Sequence, residues 1–195
     1  YIIGPLGILG GMGTYNYTYF QEGIGYLNDP YFQNHQGEFN NCTFENLNGI
    51  SLFVGSSVVF NNCVFREIIT HEMFAHVGID CSYSNFYNIK NTYGLWISGG
   101  KIENVNYSSY SGEIFNIGNG PNITANNFIG NDMIINANDG LSLNIANNYW
   151  GTIDSLIIEK KLNHFWDASS RALFKYEPKL NRPISKAHAC VWKVL

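Results

Sequence analysis

Four groups of residues in this chain have the types and spacing that chemistry requires. Segment 70–76, THEMFAH, sets His71 and Glu72 ahead of His76. A zinc hydrolase holds two histidines at i and i+4 on one helix face, with the glutamate as base. Here the spacing is five, so the histidines are read as incidental. Glu38 and Asp80 stand twice 21 residues apart with Val59 midway, and Glu67 lies near Glu72. Glycoside hydrolysis needs two carboxyls about 5–9.5 Å apart, and Val59 fills the place of the nearer partner. Glu45 meets a base, Arg66, 21 residues on, which reads as a surface ion pair of small value. Cys42 and Cys63 are also 21 apart. If stacked, they are near enough for a disulfide, but free thiols serving as small apolar fillers are the favoured reading. Cys190 has no assignable partner.

The recurrence of 21 points to the element that must position these groups. Phe44, Phe65, Phe86, Tyr107, Phe128 and Tyr149 follow one another at that interval. Supporting columns are mostly apolar: Phe39, Phe60, Cys81, Ile102, Ile123 and Asn144; Leu47, Ile68, Ile89 and Tyr110; Phe32, Phe53, Phe74 and Leu95. A further turn is centred on Phe20, with about three extra residues before the next. A fixed period of this length fits a leucine-rich repeat or a parallel β-helix. The columns lack the leucines of the former. Aromatic and β-branched residues with Asn and Gly turns favour strands instead. Each coil then rises about 4.8 Å, so six or seven coils form a rod of roughly 30 Å.

Asparagine makes up about one residue in seven, and stacking gives it a purpose. Asn85, Asn106, Asn127 and Asn148 form one series; Asn126 and Asn147 begin another, in the column that Cys42, Cys63, Ser84 and Val105 occupy earlier. An amide both donates and accepts, so one series is expected to be an internal ladder. Asn also tolerates the left-handed conformation of a sharp corner. Sequons occur at Asn16, Asn41, Asn106 and Asn122. Asn16 and Asn122 are the better glycosylation candidates, because a ladder would occupy Asn106. Alternation about the anchor turns Tyr83 and Tyr87 outward on one coil, where rings can stack on sugars or pack against protein.

Of the 195 residues, 45% are hydrophobic and only 13% charged, which excludes a disordered composition and suits one domain with a real core. The net charge of −4 is unevenly spread. Before Trp150 there are 11 acids and 3 bases; after it, 4 acids and 8 bases. The coils are a poor nucleic-acid surface, since phosphate binding needs clustered Lys and Arg. A polyuronide lyase would also want more positive charge than Arg66, Lys90 and Lys101 supply. No calcium nonapeptide or phosphate loop appears, and no cofactor is expected. The opening YIIGPLGILGGMG is too short and too broken to span a membrane. It lacks a signal-peptide start, so the sequence is expected to belong to a longer chain. An uncovered first-coil edge invites pairing with another chain.

The segment ANNYWGT at 146–152 is read as the last rung passing into a lid. Thr152 is the expected N-cap of the helix that follows, with Asp154 in its first turn and Lys160 and Lys161 in its last. Ile158, Leu162 and Phe165 share its apolar face, and ALFKYEPKL ends in a short edge strand. Coils thus span 1–151, a cap 152–180 and a basic tail 181–195.

With NNYWGT, the isoleucine-rich helix and KYEPKL, the repeat resembles right-handed parallel β-helix repeat proteins of the pectin-lyase-like superfamily, over roughly residues 15–180. That resemblance implies an all-β right-handed solenoid, secreted or at a cell surface. It leaves the activity open among polysaccharide lyases, glycoside hydrolases, epimerases, adhesins and proteins of no known activity. The expectation is a non-catalytic structural, adhesive or carbohydrate-binding element, with protein chains or extracellular polysaccharide as partners. A polysaccharide lyase or glycoside hydrolase is the alternative.

Overall fold

The computed structural model describes residues 2–3, 8–24, 32–92, 95–111, 113–117, 121–129, 134–137, 142–163 and 172–185. Phe165, His164, Cys190 and most of the basic tail lie outside them. Strands run in order as β1 (Ile2–Ile3), β2 (Ile8–Asn16), β3 (Tyr19–Ile24), β4 (Phe32–Asn40), β5 (Thr43–Val54), β6 (Ser57–Asn61), β7 (Val64–Ser82) and β8 (Asn85–Asn91). They continue as β9 (Leu95–Glu103), β10 (Asn106–Ser111), β11 (Glu113–Ile117), β12 (Asn122–Thr124), β13 (Asn127–Ile129), β14 (Ile134–Ala137) and β15 (Ser142–Asn144). A five-residue helix, α1 (Ser155–Glu159), precedes β16 (Leu173–Lys175).

Every pairing among these strands is parallel, and successive partners are mostly 21 residues apart. The chain is therefore an all-β parallel solenoid. About four complete turns stand among the described residues, against the six to seven expected from the repeat. Alternation places the aromatic columns inside. β6, for example, runs exposed–buried–exposed–buried–exposed, with Val58 and Phe60 inward. Phe44, Phe65 and Phe86 stack face to face, with centroids 4.7 and 4.4 Å apart. Tyr107 and Phe128 extend the file at 5.0 and 5.3 Å. A second file, Tyr15–Phe39–Phe60, packs edge-on against the first. Each ring fills the gap that its neighbours one rung away would otherwise leave.

Left-handed residues make the corners. Tyr17, Asn41, Asn62, Tyr83, Asn104, Ala125 and Asn147 share one file, with φ from 50° to 60°. Asn46, Glu67, Asn88 and Ser109 share another, with φ from 49° to 54°. Asparagine relieves this conformation and other L-residues resist it by about 1–2 kcal/mol, which explains part of the asparagine content. At the first corner the bonding direction reverses. Asn62 N–H donates to Ser82 O on one neighbouring coil, and Val64 N–H donates to Cys42 O on the other. The N–H of the residue between them, Cys63, is left over, and Ser84 Oγ accepts it at 3.0 Å. Gly100 on β9 meets a different demand: at φ +106° a Cβ would sit 1.9 Å from Ile79 O.

His35 is 2% exposed, against Tyr15 and Phe39. Burial holds its pKa below the usual imidazole value. The folded state therefore binds fewer protons here than the unfolded state, so stability is intact above about pH 6.5 and is lost as pH falls toward the folded value. Urea midpoints are expected to drop as pH falls below about 6.5, and His35→Gln should flatten that slope. An unchanged slope in the variant would remove His35 from the account.

The last coil departs from the period. Asn127 bridges Tyr149 rather than Asn148, an interval of 22. The ring that stacks on Phe128 is Trp150, at 4.8 Å and 1% exposed. Tyr149 is only half-buried and lies outside the aromatic file, contrary to the sequence reading. Asn144 is likewise exposed, and Ile145 takes the buried place. One residue gained in this coil advances every later side chain by one file.

Beyond it, the N-cap of α1 is Asp154, whose Oδ1 accepts Leu156 N–H at 2.9 Å. Thr152 Oγ1 accepts Asp154 N–H instead, correcting the expected cap. Lys160 follows α1 as its C-cap, and no basic residue lies in the last turn of so short a helix. Ile158 and Leu162 are buried, and β16 adds to β15 with Phe174 inward.

Candidate functional site

Outward side chains of successive coils form straight polar files, and these carry whatever chemistry the surface has. On the sheet of β3, β5, β7 and β8, Glu45 pairs in register with Arg66, and Arg66 with Tyr87. Arg66 Nη2 meets Glu45 Oε2 at 2.6 Å and Tyr19 Oη at 3.4 Å, while Nη1 reaches Tyr87 Oη at 3.3 Å. Tyr19 Oη also donates to Glu45. The Glu45 carboxylate raises the Arg66 pKa further. This is a closed ladder: its acid is bound on two sides, and Tyr87 is half-buried and held by the guanidinium. Tyr83 is 43% exposed but sits at a left-handed corner rather than on the strand. The two tyrosines, both expected outward on one coil, thus have different settings: Tyr83 is exposed at the corner and Tyr87 is half-buried on β8.

Asp80, Glu103 and Glu67 are each separately engaged. Glu38, Val59 and Asp80 do share a file, with Lys101 next. Asp80 Oδ1 accepts Lys101 N–H at 2.9 Å, and Lys101 Nζ pairs with Glu103 at 2.8 Å. Glu67 accepts from Asn88 Nδ2. Ser51 and Glu72 pair through the strands, and Glu72's side chain is not among those described. His71 is exposed; it and His76 lie on β7, an extended strand and not the helix a zinc motif uses. Among the described residues no group of three His, Cys, Asp or Glu side chains is placed to hold a metal.

Described residues line two concavities. One, of about 440 Å³, is shallow and lined by residues of β2, β4 and β6, including Thr14, Gln36 and Glu38. The other, about 300 Å³, follows the second left-handed file. Asn46, Glu67 and Asn88 line one wall; Asn48, Ile69 and Lys90 line the other, with Leu47 between. Register pairs Asn48 with Ile69 and Ile69 with Lys90, so each coil contributes one residue to each wall. Three amides, one acid, one base and an apolar side chain 51% exposed give this groove mixed hydrogen-bonding capacity and a hydrophobic contact. The period implies such a wall, but which column faces a groove depends on the bend between two sheets, and no spacing in the chain encodes that bend.

The interior resolves the other candidates. Cys42, Cys63 and Cys81 are free, buried thiols. Cys63 Sγ donates to Phe39 O at 3.1 Å and Cys42 Sγ to Tyr15 O at 3.4 Å. Burial pushes Cys63 well above the usual thiol range and Cys81 to about 12. Neutral thiols of this kind are poor nucleophiles. The internal amides are Asn126 and Asn148, in the file that Cys63, Ser84 and Val105 occupy on the earlier coils. Asn126 Oδ1 accepts Val105 N–H at 3.0 Å and Asn148 Oδ1 accepts Asn126 N–H at 2.8 Å. Asn85, Asn106 and Asn127 stay in register one file away, and Asn148 leaves that series through the slip.

Of the sequons, Asn122 is exposed on β12. Asn16 is also exposed, though its Oδ1 accepts from Asn40 at 3.2 Å. Asn41 accepts from Asn62 at 2.6 Å. No helix among the described residues is long and apolar enough to cross a membrane.

Compared with known protein families, curated proteins and solved structures, the chain matches none.

Proposed function

We propose that this solenoid is a non-catalytic scaffold of an extracellular or cell surface, whose groove along Asn46, Glu67 and Asn88 binds an extended polysaccharide. The observation that carries the reading is the composition of the groove walls, with one amide, charged or apolar side chain presented per coil on each wall. Amide groups pair with vicinal hydroxyls through both a donor and an acceptor, and Ile69 offers an apolar contact for a sugar face. The coil rise of about 4.8 Å is close to the length of one sugar unit in an extended chain. The acids support binding over turnover. Glu45 is locked by Arg66 and Tyr19, and Asp80 by the Lys101 backbone, so neither is placed as one of a reacting pair.

In this reading the coils number six to seven in a right-handed sense, as in pectin-lyase-like repeat proteins, and residues 152–180 act as their lid. Asn122 is then the preferred glycan acceptor, with Asn16 second.

A polysaccharide panel tests the proposal directly. Binding by at least one extended glycan is expected, without release of shortened or unsaturated products. Ile69→Ala together with Lys90→Ala should weaken it by about ten-fold or more, equivalent to about 1.4 kcal/mol. Depolymerisation, or affinity untouched by the double variant, would refute the assignment of this groove.

A further inference from the structure

A left-handed corner admits asparagine readily and a bulky ring poorly. Asparagine holds most of the first corner file, yet two of its positions carry tyrosine: Tyr17 at φ 52° and Tyr83 at φ 50°. Tyr17 N–H donates to Asn40 O, Asn41 N–H to Asn61 O and Asn62 N–H to Ser82 O, each across one coil. The two tyrosines therefore occupy equivalent places three coils apart. Burial does not offset their strain. Tyr17 is 71% exposed and Tyr83 43%, and among the described residues neither ring takes part in a ring contact or a side-chain hydrogen bond. Asn62 and Asn104 stand one coil to either side of Tyr83 and leave its ring uncovered, because this corner projects from the rod. Strain that packing does not offset marks a functional surface.

We infer that this corner is a second glycan-binding surface, a ridge on which a neutral oligosaccharide stacks sugar rings against Tyr17 and Tyr83. Three coil rises of about 4.8 Å set the tyrosines roughly 14 Å apart. One rise matches about one sugar unit, so the first and fourth units of an extended chain fall on the two rings. The C–H face of a pyranose is apolar and packs on an aromatic face. Between the rings lie Asn41 and Asn62, joined by a bond from Asn62 Nδ2 to Asn41 Oδ1 at 2.6 Å. Amides both donate and accept, as hydroxyl groups require. Asn16, Asn40, Asn61 and Ser82 flank the ridge in register. From Tyr17 to Tyr83 neither file carries a charge, so a polyuronide would find no cation to pair with. The rings also stand too far apart to merge into the contiguous apolar patch that a protein partner desolvates. This ridge and the groove of Asn46, Glu67 and Asn88 follow different corner files, and neither assignment rests on the other.

Titration calorimetry with cellotetraose, mannotetraose and xylotetraose tests the inference. The protein carries Ile69→Ala and Lys90→Ala, which removes the groove's contribution, and is produced without N-glycosylation, which leaves Asn16 unmodified. At least one tetrasaccharide is expected to bind, roughly ten-fold more tightly than its disaccharide, because only the longer chain reaches both rings. Its affinity should not change between about 20 mM and about 0.5 M salt, since no charge takes part. Tyr17→Asn and Tyr83→Asn should each weaken binding by roughly ten-fold. Their urea midpoints should hold or rise, because asparagine suits the left-handed corner. Tyr83→Phe keeps the ring and should keep the affinity. Four results would each overturn the inference: no binding by any of the three sugars, affinity unchanged in both asparagine variants, tighter binding of tetragalacturonate, or midpoints that fall in both variants, as for tyrosines kept for packing.

Discussion

Asn126→Ala is expected to lower unfolding free energy by about 3–5 kcal/mol, enough to leave a marginal domain largely unfolded. Asn126 is fully buried. Its Oδ1 takes the Val105 N–H at 3.0 Å, and its Nδ2 serves Ile102 O at 2.9 Å and Asn148 Oδ1 at 3.1 Å. Alanine strands two backbone groups where no water enters, each costing about 1–3 kcal/mol. Asn126→Asp separates the two functions. It can still accept from Val105 but cannot donate to Ile102, and it sets a charge in the core. Asn106→Ala supplies the contrast. Asn106 is half-buried, and its backbone N–H, bonded to Ser84 O, survives the change. Its cost should stay within about 1 kcal/mol. Urea midpoints of the three variants decide the matter: equal losses at 106 and 126 would mean that the internal ladder has been misplaced.

Trp150→Ala should cost about 3–5 kcal/mol, and Tyr149→Ala about 1. Trp150 closes the aromatic file on Phe128 and is 1% exposed, so its removal opens a cavity that rigid strands cannot collapse to fill. Tyr149 contributes its backbone to the ladder, through N–H to Asn126 O and O to Phe128 N–H, and both survive truncation. Trp150→Phe should cost less than Trp150→Ala, since a phenyl ring keeps part of the stack on Phe128 and leaves a smaller cavity. Thermal melts of the pair give the order. A larger loss at 149 than at 150 would restore an unbroken interval of 21 and contradict the slip.

These two experiments probe the positions at which columns alone mislead. Phe44, Phe65 and Phe86 read as a stack because each intervening coil has the same length. Tyr149 reads the same way, and wrongly, because an aromatic follows it at Trp150 and both satisfy the pattern. The Asn85 series looks more like a ladder than the Asn126 series, being longer and unbroken. Yet the corner leaves an N–H unpaired in the neighbouring file, where Ser84 and Asn126 each accept one. The groove was less legible still: Asn46, Glu67 and Asn88 are ordinary surface residues until a left-handed bend turns them toward Asn48, Ile69 and Lys90.

By itself the amino-acid sequence determined that the chain winds at a constant interval, that rings fill its interior and that charge divides between its two ends. Those properties are local or periodic, and a parallel strand stack carries any period directly into space. Which file faces the corner's unpaired N–H, where a coil gains a residue and which outward columns meet across a groove were decided only by tertiary structure. Each depends on the hydrogen-bond partner that the adjacent coil offers, and a neighbour 21 or 22 positions away is chosen by packing.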